Sequence, residues 1–548
     1  MKRDSMKKWV LILFSLIVSY GGFFWVLPKK AFWIRDEGNK FILSQSLFNA
    51  PGGVSGALIY PGKIWDKDCE FVPIRPPFAY IRNDALYSQY PPYFSVLGKY
   101  FFHYFSYSGL LLLSFFPGIG IGVLLLYFFS RLFKMKITLV MMLLVFFGTP
   151  LLFYYFVYWE HALSVFLMLL GMTLFFRFER TTGGVFSGML LGASVFLREE
   201  SILFFLAFVL ALILQSEFRR NLASFVTGFI IGFSVVVFLD CQFGVDPFRH
   251  LFQQYSEDFS FSLKTFFRER WNVFLNLFFS CHAKPFYTAI NWLVMVALFF
   301  KCIKNFRLLK ISNCLLLSCL AVYPFMLSFK GPVQQLLSAN GLVFTFPAIL
   351  LFLFGDTSTI RKSPLVSFLL NQSFLFVLLV CLFCPVVSSL GIHWGPRMLL
   401  PVIPGLTLLC CYILDGMHSR FHSFFINRLM VPALIVINGL LQGISLYYLY
   451  AKTGLNEQIF RQLALRPEKV IITSVPWFAE EMAPLYFQKY IFYCPDQEHL
   501  LPLIKRLQQE RIHEVLFINP EIPGQKDNLL ALPSEFPYFH LHAQSVKI

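Results

Sequence analysis

The sequence predicts a mostly α protein, a polytopic membrane bundle of about thirteen transmembrane helices with a small α/β unit at its C-terminal end. Three observations carry that prediction. Apolar runs of about 20 residues recur along the first 450 positions, the length a helix needs to cross a bilayer. Only 14% of the 548 residues are charged and 57% are hydrophobic, against about 25% charged in soluble domains, and mean hydropathy is +0.64. Beyond Tyr450, polar and charged residues return. The same figures exclude an ordinary soluble enzyme, a disordered chain, a collagen-like chain and a disulfide scaffold.

The first run, 9–27, follows Lys2, Arg3, Lys7 and Lys8 and ends in Pro28-Lys29-Lys30 without a small-residue cleavage site. It therefore reads as a retained helix and not as a signal peptide. Further runs fall at 108–129, 137–157, 162–176, 185–198, 201–215, 221–239, 286–300, 311–328, 336–354, 365–389, 398–414 and 429–450. The pair at 185–215 is the shortest, interrupted by Arg198, Glu199 and Glu200. A helical pair that turns within the protein and a re-entrant segment fit it equally.

Lys plus Arg number 46 and Asp plus Glu 30, a formal charge of +16. The basic residues gather between runs, as Arg131/Lys134/Lys136, Arg177/Arg180, Arg219/Arg220, Lys301/Lys304/Arg307/Lys310, Arg361/Lys362 and Arg420/Arg428. This is the mark of a cytoplasmic face, and no nucleic-acid partner is expected. With the N-terminus inside, every one of those linkers falls inside. The outward segments are then 28–107, 158–161, 199–200, 240–285, 329–335, 390–397 and all that follows 450. The expected location is a multi-pass position in the cell (inner) membrane, with an extracytoplasmic C-terminal domain. The 11 cysteines show no metal spacing and read as small apolar residues.

Two domains follow, a membrane domain over 1–450 and an α/β domain over 451–548. The outward loops 28–107 and 240–285 belong to the first and are too long to be mere connections. The earlier one holds Asp36, Glu37, Asp66, Asp68, Glu70 and Asp84 among aromatics and prolines, and folds onto the membrane surface. The later one contains an aromatic and charged stretch, 259–271, that reads as an interfacial helix. In the C-terminal domain, 470–475, 490–493 and 514–518 read as strands, and 478–488 and 496–511 as helices. No GxGxxG or GxxxxGK segment accompanies them, so no nucleotide is assigned and support of the membrane core is the expected role.

Three short motifs carry chemistry. Asp36 and Glu37 stand side by side soon after the first span, and partial burial of two adjacent carboxylates raises at least one pKa, which suits proton acceptance, although two acids near a helix end also fit an ordinary solvated loop start. Trp159-Glu160-His161 occupies a very short outward turn that keeps Glu160 close to the bundle, although a carboxylate there also serves a helix dipole without any ligand. His393-Trp-Gly-Pro-Arg397 puts a guanidinium at the outward mouth of a late helix, where it can fork onto a phosphate or lie as an interface residue. Together they place acids and a hydrogen-bond donor group suited to a phosphate on one face. That suits transfer from a lipid phosphate, with a carboxylate accepting the proton of an attacking hydroxyl and the arginine offsetting charge on the departing phosphate.

On these residues the chain resembles the polyprenyl-phosphate-sugar-dependent membrane glycosyltransferases of the GT-C fold, the superfamily of protein O-mannosyltransferases and of the aminoarabinose transferase of lipid A. The matching features are Asp36-Glu37, Trp159-Glu160-His161, Leu197-Arg-Glu-Glu200, which is similar to the Leu-Arg-Pro-Glu of related chains, and Gly395-Pro-Arg-Met-Leu-Leu-Pro401, over about 1–450. The resemblance implies an inverting sugar transfer from a polyprenyl-phosphate donor to an envelope lipid, glycan or protein. It makes Asp36 the leading base, Glu37 its neighbour, Glu160 a second acidic contact and Arg397 a lipid-phosphate ligand. His161, His393, Arg198 and Glu200 join the substrate-binding set, with Glu199 standing where the family has proline. A metal requirement varies across that fold, and no cluster here compels one, so no cofactor is assigned and a divalent metal stays open.

The alternative reading is a transporter or flippase of lipid-linked envelope precursors, which needs polar residues in mid-span and a repeat of broken helices. The polar candidates gather instead at outward ends. A third reading, an envelope assembly protein without sugar transfer, turns on whether loop 28–107 closes a cavity over Asp36.

Overall fold

The computed structural model describes residues 3–49, 57–76, 78–82, 85–133, 139–178, 181–242, 263–279, 293, 339–354, 363–385, 392–420, 431–512, 514–520 and 541–547. The spans expected at 286–300 and 311–328, and Asp84, lie outside the described residues apart from position 293.

The N-terminal half runs α1 (Arg3–Val26), α2 (Arg35–Asn49), β1 (Ala57–Leu58), β2 (Ala79–Arg82), β3 (Ala85–Ser88), α3 (Pro92–Leu132), α4 (Leu139–Phe147), α5 (Leu151–Tyr154), α6 (His161–Arg177), α7 (Thr181–Ser194), α8 (Glu200–Leu214) and α9 (Leu222–Gln242). Helices Leu263–Phe279, Pro364–Phe383, Ile403–Arg420 and Val431–Ala464 follow. Five described helical stretches are long and apolar enough to cross a bilayer, namely Pro92–Leu132, Ser216–Gln242, Pro364–Phe383, Arg397–Gly416 and Val431–Ala464. Three shorter apolar helices, Val10–Val26, His161–Arg177 and Glu200–Leu214, accompany them.

Local chemistry explains the less regular elements. α3 opens on Pro92, whose missing N–H costs a helix nothing in its first turn. It breaks at Ser106, where φ is 54°. A Cβ at Gly109 would lie 2.0 Å from the Phe101 carbonyl oxygen, so only glycine fits the turn that follows the break. The apolar run seen from 108 in the sequence is thus the second arm of this helix. α7 and α9 pack backbone to backbone, because Gly188, Gly192, Gly228 and Gly232 leave no Cβ between them. A Cβ on Gly188 would meet the Phe225 carbonyl oxygen at 2.0 Å, and one on Gly228 the Val185 carbonyl oxygen at 2.1 Å. Small residues four apart are the usual device for close helix approach where lipid removes the hydrophobic drive.

Several expected elements differ. The run 137–157 divides at Gly148-Thr149-Pro150 into α4 and the single turn α5. The run 336–354 forms one α-turn, Leu342–Thr345, and a 3-10 stretch, Pro347–Phe354, rather than a long span. The segment 28–107 is no surface loop throughout, since it contains α2, the antiparallel sheet β1-β3-β2 and the first arm of α3. The pair at 185–215 is helical, as α7 and α8 of 14 and 15 residues. Helix Val431–Ala464 runs through position 450 without a break. Of the stretch 259–271, expected as an interfacial helix, the described part is helical from Leu263 and continues to Phe279.

At the C-terminal end, β4 (Val470–Thr473), β5 (Tyr490–Tyr493), β6 (Glu514–Pro520) and β7 (Leu541–Lys547) form one sheet of order β5-β4-β6-β7. β4 pairs parallel with both neighbours, Ile471 opposite Ile491 and Leu516, and β7 closes the edge antiparallel to β6. Parallel neighbours need a crossover, and helix Gln497–Gln509 supplies one, capped by Asp496, whose side chain accepts from the His499 amide at 3.0 Å. The expected helix at 478–488 is shorter, a turn at Phe478–Glu481 and a 3-10 turn at Ala483–Leu485. One apolar cluster fills the helical bundle. A second joins α2, the small antiparallel sheet, the first arm of α3 and the C-terminal sheet.

Candidate active site

α2 begins with Arg35, Asp36 and Glu37, and two acids in a first turn are favoured by the helix dipole. The two carboxylates meet different surroundings. Glu37 is 2% exposed. Its Oε1 accepts from the Tyr158 amide at 2.6 Å, and its Oε2 accepts from the Trp33 amide. Burial pushes its carboxyl up to about 7 against the pull of those amides and of Lys40. It straps α2 to the turn before α6. Asp36 turns the other way, its side chain 17% exposed. The Tyr90 hydroxyl donates to its Oδ1 at 2.5 Å, and Arg397 Nη1 stands 3.7 Å from its Oδ2.

Arg397 is placed by the chain before it. Gly395 has φ of +72°, and a Cβ there would meet Pro150 Cβ at 2.7 Å. Its amide donates to the Ala339 carbonyl at 2.9 Å, while Trp394 Nε1 donates to Gln442 Oε1 at 3.0 Å. The guanidinium emerges from this turn beside Asp36, 5.8 Å from the Trp159 ring centre.

Behind that pair, which forms the more exposed edge, or mouth, of the cluster, runs a chain of opposite charges. Lys40, one turn along α2 from Asp36, reaches Glu160 Oε2 at 3.1 Å. Arg198 Nη1 lies 3.3 Å from Glu160 Oε1, and its Nε donates to Glu200 Oε1 at 2.9 Å. Glu160 stands at the N-cap of α6 without capping it, so its carboxylate serves the ion pairs and not the helix end. Lys40, Glu160 and Glu200 are buried, whereas the Arg198 side chain is 18% exposed. Lys40 Nζ also lies 4.1 Å from the Tyr90 ring centre.

His161 and His393 are both buried, and the His161 ring lies against Tyr154 and Trp159 at 5.1 and 4.8 Å. Burial, with Arg397 and Arg198 nearby, holds the His393 imidazole well below its usual range. The structure thus brings Asp36, Glu37, Glu160, Arg198, Glu200 and Arg397 into one cluster, with the two histidines packed into its wall. Lys40 and Tyr90 belong to it and were missed. The signal for Lys40 was its place four residues after Asp36, visible once the segment is read as helix. Tyr90 had no signal, because its reach to Asp36 depends on tertiary folding. Among the described residues no three His, Cys, Asp or Glu side chains are arranged as a metal set.

Comparison with protein-family models finds no match, and comparison with curated protein sequences finds none either. Among solved structures, ArnT from Cupriavidus metallidurans bound to undecaprenyl phosphate superposes with a TM-score of 0.51 at 13% identity, over 94% of this chain and 93% of that one. The Archaeoglobus fulgidus oligosaccharyltransferase in its apo form is a looser likeness, with a TM-score of 0.44 at 13% identity over 92% of this chain and 69% of that one. The chain has the fold of ArnT, a GT-C fold, along nearly its whole length.

Proposed function

We propose that the chain transfers a sugar from a polyprenyl-phosphate-linked donor to an envelope lipid, glycan or protein at the outer face of the cell membrane. The observation that carries the reading is the partly open pairing of Asp36 with Arg397, backed by Arg198, at the mouth of an apolar bundle with the fold of a protein crystallised with undecaprenyl phosphate. A polyprenyl tail belongs in lipid, and its phosphate needs fixed cations where lipid meets water.

In this mechanism Asp36 takes the proton of an acceptor hydroxyl as that oxygen attacks the sugar C1. The bond from C1 to the phosphate oxygen breaks, and inversion follows from direct displacement. Arg397 and Arg198 oppose the charge that grows on the departing phosphate, an effect worth about 10²–10³ in rate for a well-aimed donor. Tyr90 fixes the Asp36 carboxylate, and Glu37 and Lys40 hold α2 against the bundle.

The test is to incubate membranes bearing the protein with radiolabelled polyprenyl-phosphate sugars and to extract lipid, glycan and protein fractions separately. One fraction gains label only when the protein is present. No fraction gaining label above control membranes, with hexosyl or pentosyl donors, rejects the reading.

A further inference from the structure

Asp36 and Arg397 sit on separately anchored segments, so the distance between them is set by whatever holds each. For Asp36 the anchor comes from the far end of the chain. Lys452 and Asn456 lie one turn apart on helix Val431–Ala464 and share a face. Lys452 Nζ donates to the Trp33 carbonyl at 2.5 Å, and Asn456 Nδ2 donates to the Phe32 carbonyl at 2.7 Å. A single carboxylate orients both donors. Glu481, at the end of the short helix Phe478–Glu481, accepts from Lys452 at 3.0 Å through Oε1 and from Asn456 at 3.1 Å through Oε2. Lys452 and Asn456 are 0% exposed and Glu481 is 5% exposed.

The grip extends to both sides. At the next residue of the same helix, Glu457 Oε2 accepts from the amides of Lys29 and Lys30 at 3.2 and 3.4 Å. Beyond Asp36, α2 presses on the short helix itself, since a Cβ at Gly38 would lie 1.7 Å from the Glu480 carbonyl oxygen. Both backbone groups of Trp33 are held, its carbonyl by Lys452 and its amide by Glu37. Asp36 follows three residues later.

We propose that Glu481, with Lys452 and Asn456, is a clamp of positioning residues that sets where Asp36 stands relative to Arg397. This rests on the sugar-transfer reading and deepens it, because it makes the C-terminal α/β unit part of the catalytic geometry instead of a support for the bundle. None of the three residues is placed in contact with substrate. Their effect passes through the 32–36 backbone, and small misplacements of a reacting group are costly to rate while leaving remote binding contacts in place.

The test compares Glu481→Gln, Asn456→Ser and wild type as purified full-length proteins, with rates expressed per folded molecule. Glu481→Gln keeps the shape but presents an amide N–H₂ to one of the two donors. It is expected to lower kcat about tenfold while the donor KM stays within about twofold. Asn456→Ser removes one arm only and is expected to lower kcat about threefold, which keeps the question answerable should Glu481→Gln fail to fold. Faster amide hydrogen exchange across residues 32–38 in both variants accompanies the loss. Unchanged kcat per folded molecule, or a loss confined to KM, overturns the clamp while wild-type transfer keeps the sugar-transfer reading. Absence of transfer by wild type overturns that reading and the clamp with it.

Discussion

The mouth and the back of the acidic cluster use the same residue types in opposite ways. At the mouth, Asp36 and Arg397 keep 17% of each side chain exposed and stand 3.7 Å apart. At the back, Lys40 and Glu160 are 3% and 5% exposed and stand 3.1 Å apart. An open pair at that distance stays within reach of a third party from outside the protein. A buried, close pair does not, and with Arg198 and Glu200 it ties α2, the start of α6 and the α7–α8 turn together. The difference teaches that burial sets what a carboxylate has left to offer, even between adjacent residues: Asp36 stays partly open, as the proposed base needs, while Glu37 is buried on two amides.

Breaking the buried side should cost stability first. Lys40→Met leaves one Glu160 oxygen buried without its cation and is expected to destabilise the fold by about 3 kcal/mol, a typical loss for half of a buried pair. Chemical denaturation in detergent measures it, and an unaltered midpoint contradicts the structural assignment.

Breaking the open side should spare the fold and reduce donor use. If Arg397 holds the donor phosphate as proposed, Arg397→Ala removes a charged contact worth about 2 kcal/mol, so kcat/KM for the donor is expected to fall about thirtyfold with acceptor KM little changed. Steady-state kinetics with each substrate varied in turn gives the answer, and an unaltered donor kcat and KM rejects the phosphate role.

The smallest effect sharpens the comparison through pH. Burial raises Glu37 to about 7 and Glu480 to about 8 from an ordinary value of 4.5. Both therefore bind protons more tightly folded than unfolded. The stability they contribute is complete below about 4.5 and is lost as pH rises through 7 to 8. Unfolding midpoints should decline from pH 5 to pH 8, and Glu480→Gln should decline less steeply. A variant that follows the wild-type slope removes Glu480 from that account.

Much of this arrangement was legible in the sequence because it sits where apolar runs end. Asp36, Glu160 and Arg397 are charges at run boundaries, and the alternation of basic linkers alone puts them on one side. The strands at 470–475, 490–493 and 514–518 were legible from their apolar pattern. What was hidden depends on long-range packing. Lys40 shows no signal unless 35–49 is helical, and the link from Glu481 through Lys452 to the Trp33 carbonyl joins positions far apart in the chain. β7 lies at the terminus in a short alternating stretch, and only its pairing with β6 identifies it. Helix Val431–Ala464 outran its apolar run because its last turns place Leu455, Ile459 and Leu463 in the apolar cluster shared with the C-terminal sheet.

The most direct test of the central claim is single-turnover sugar transfer at saturating polyprenyl-phosphate donor by wild type and Asp36→Asn. The account predicts a rate lowered about a thousandfold in a variant that melts with wild type, within the range expected for loss of a general base. Full turnover by Asp36→Asn would contradict it.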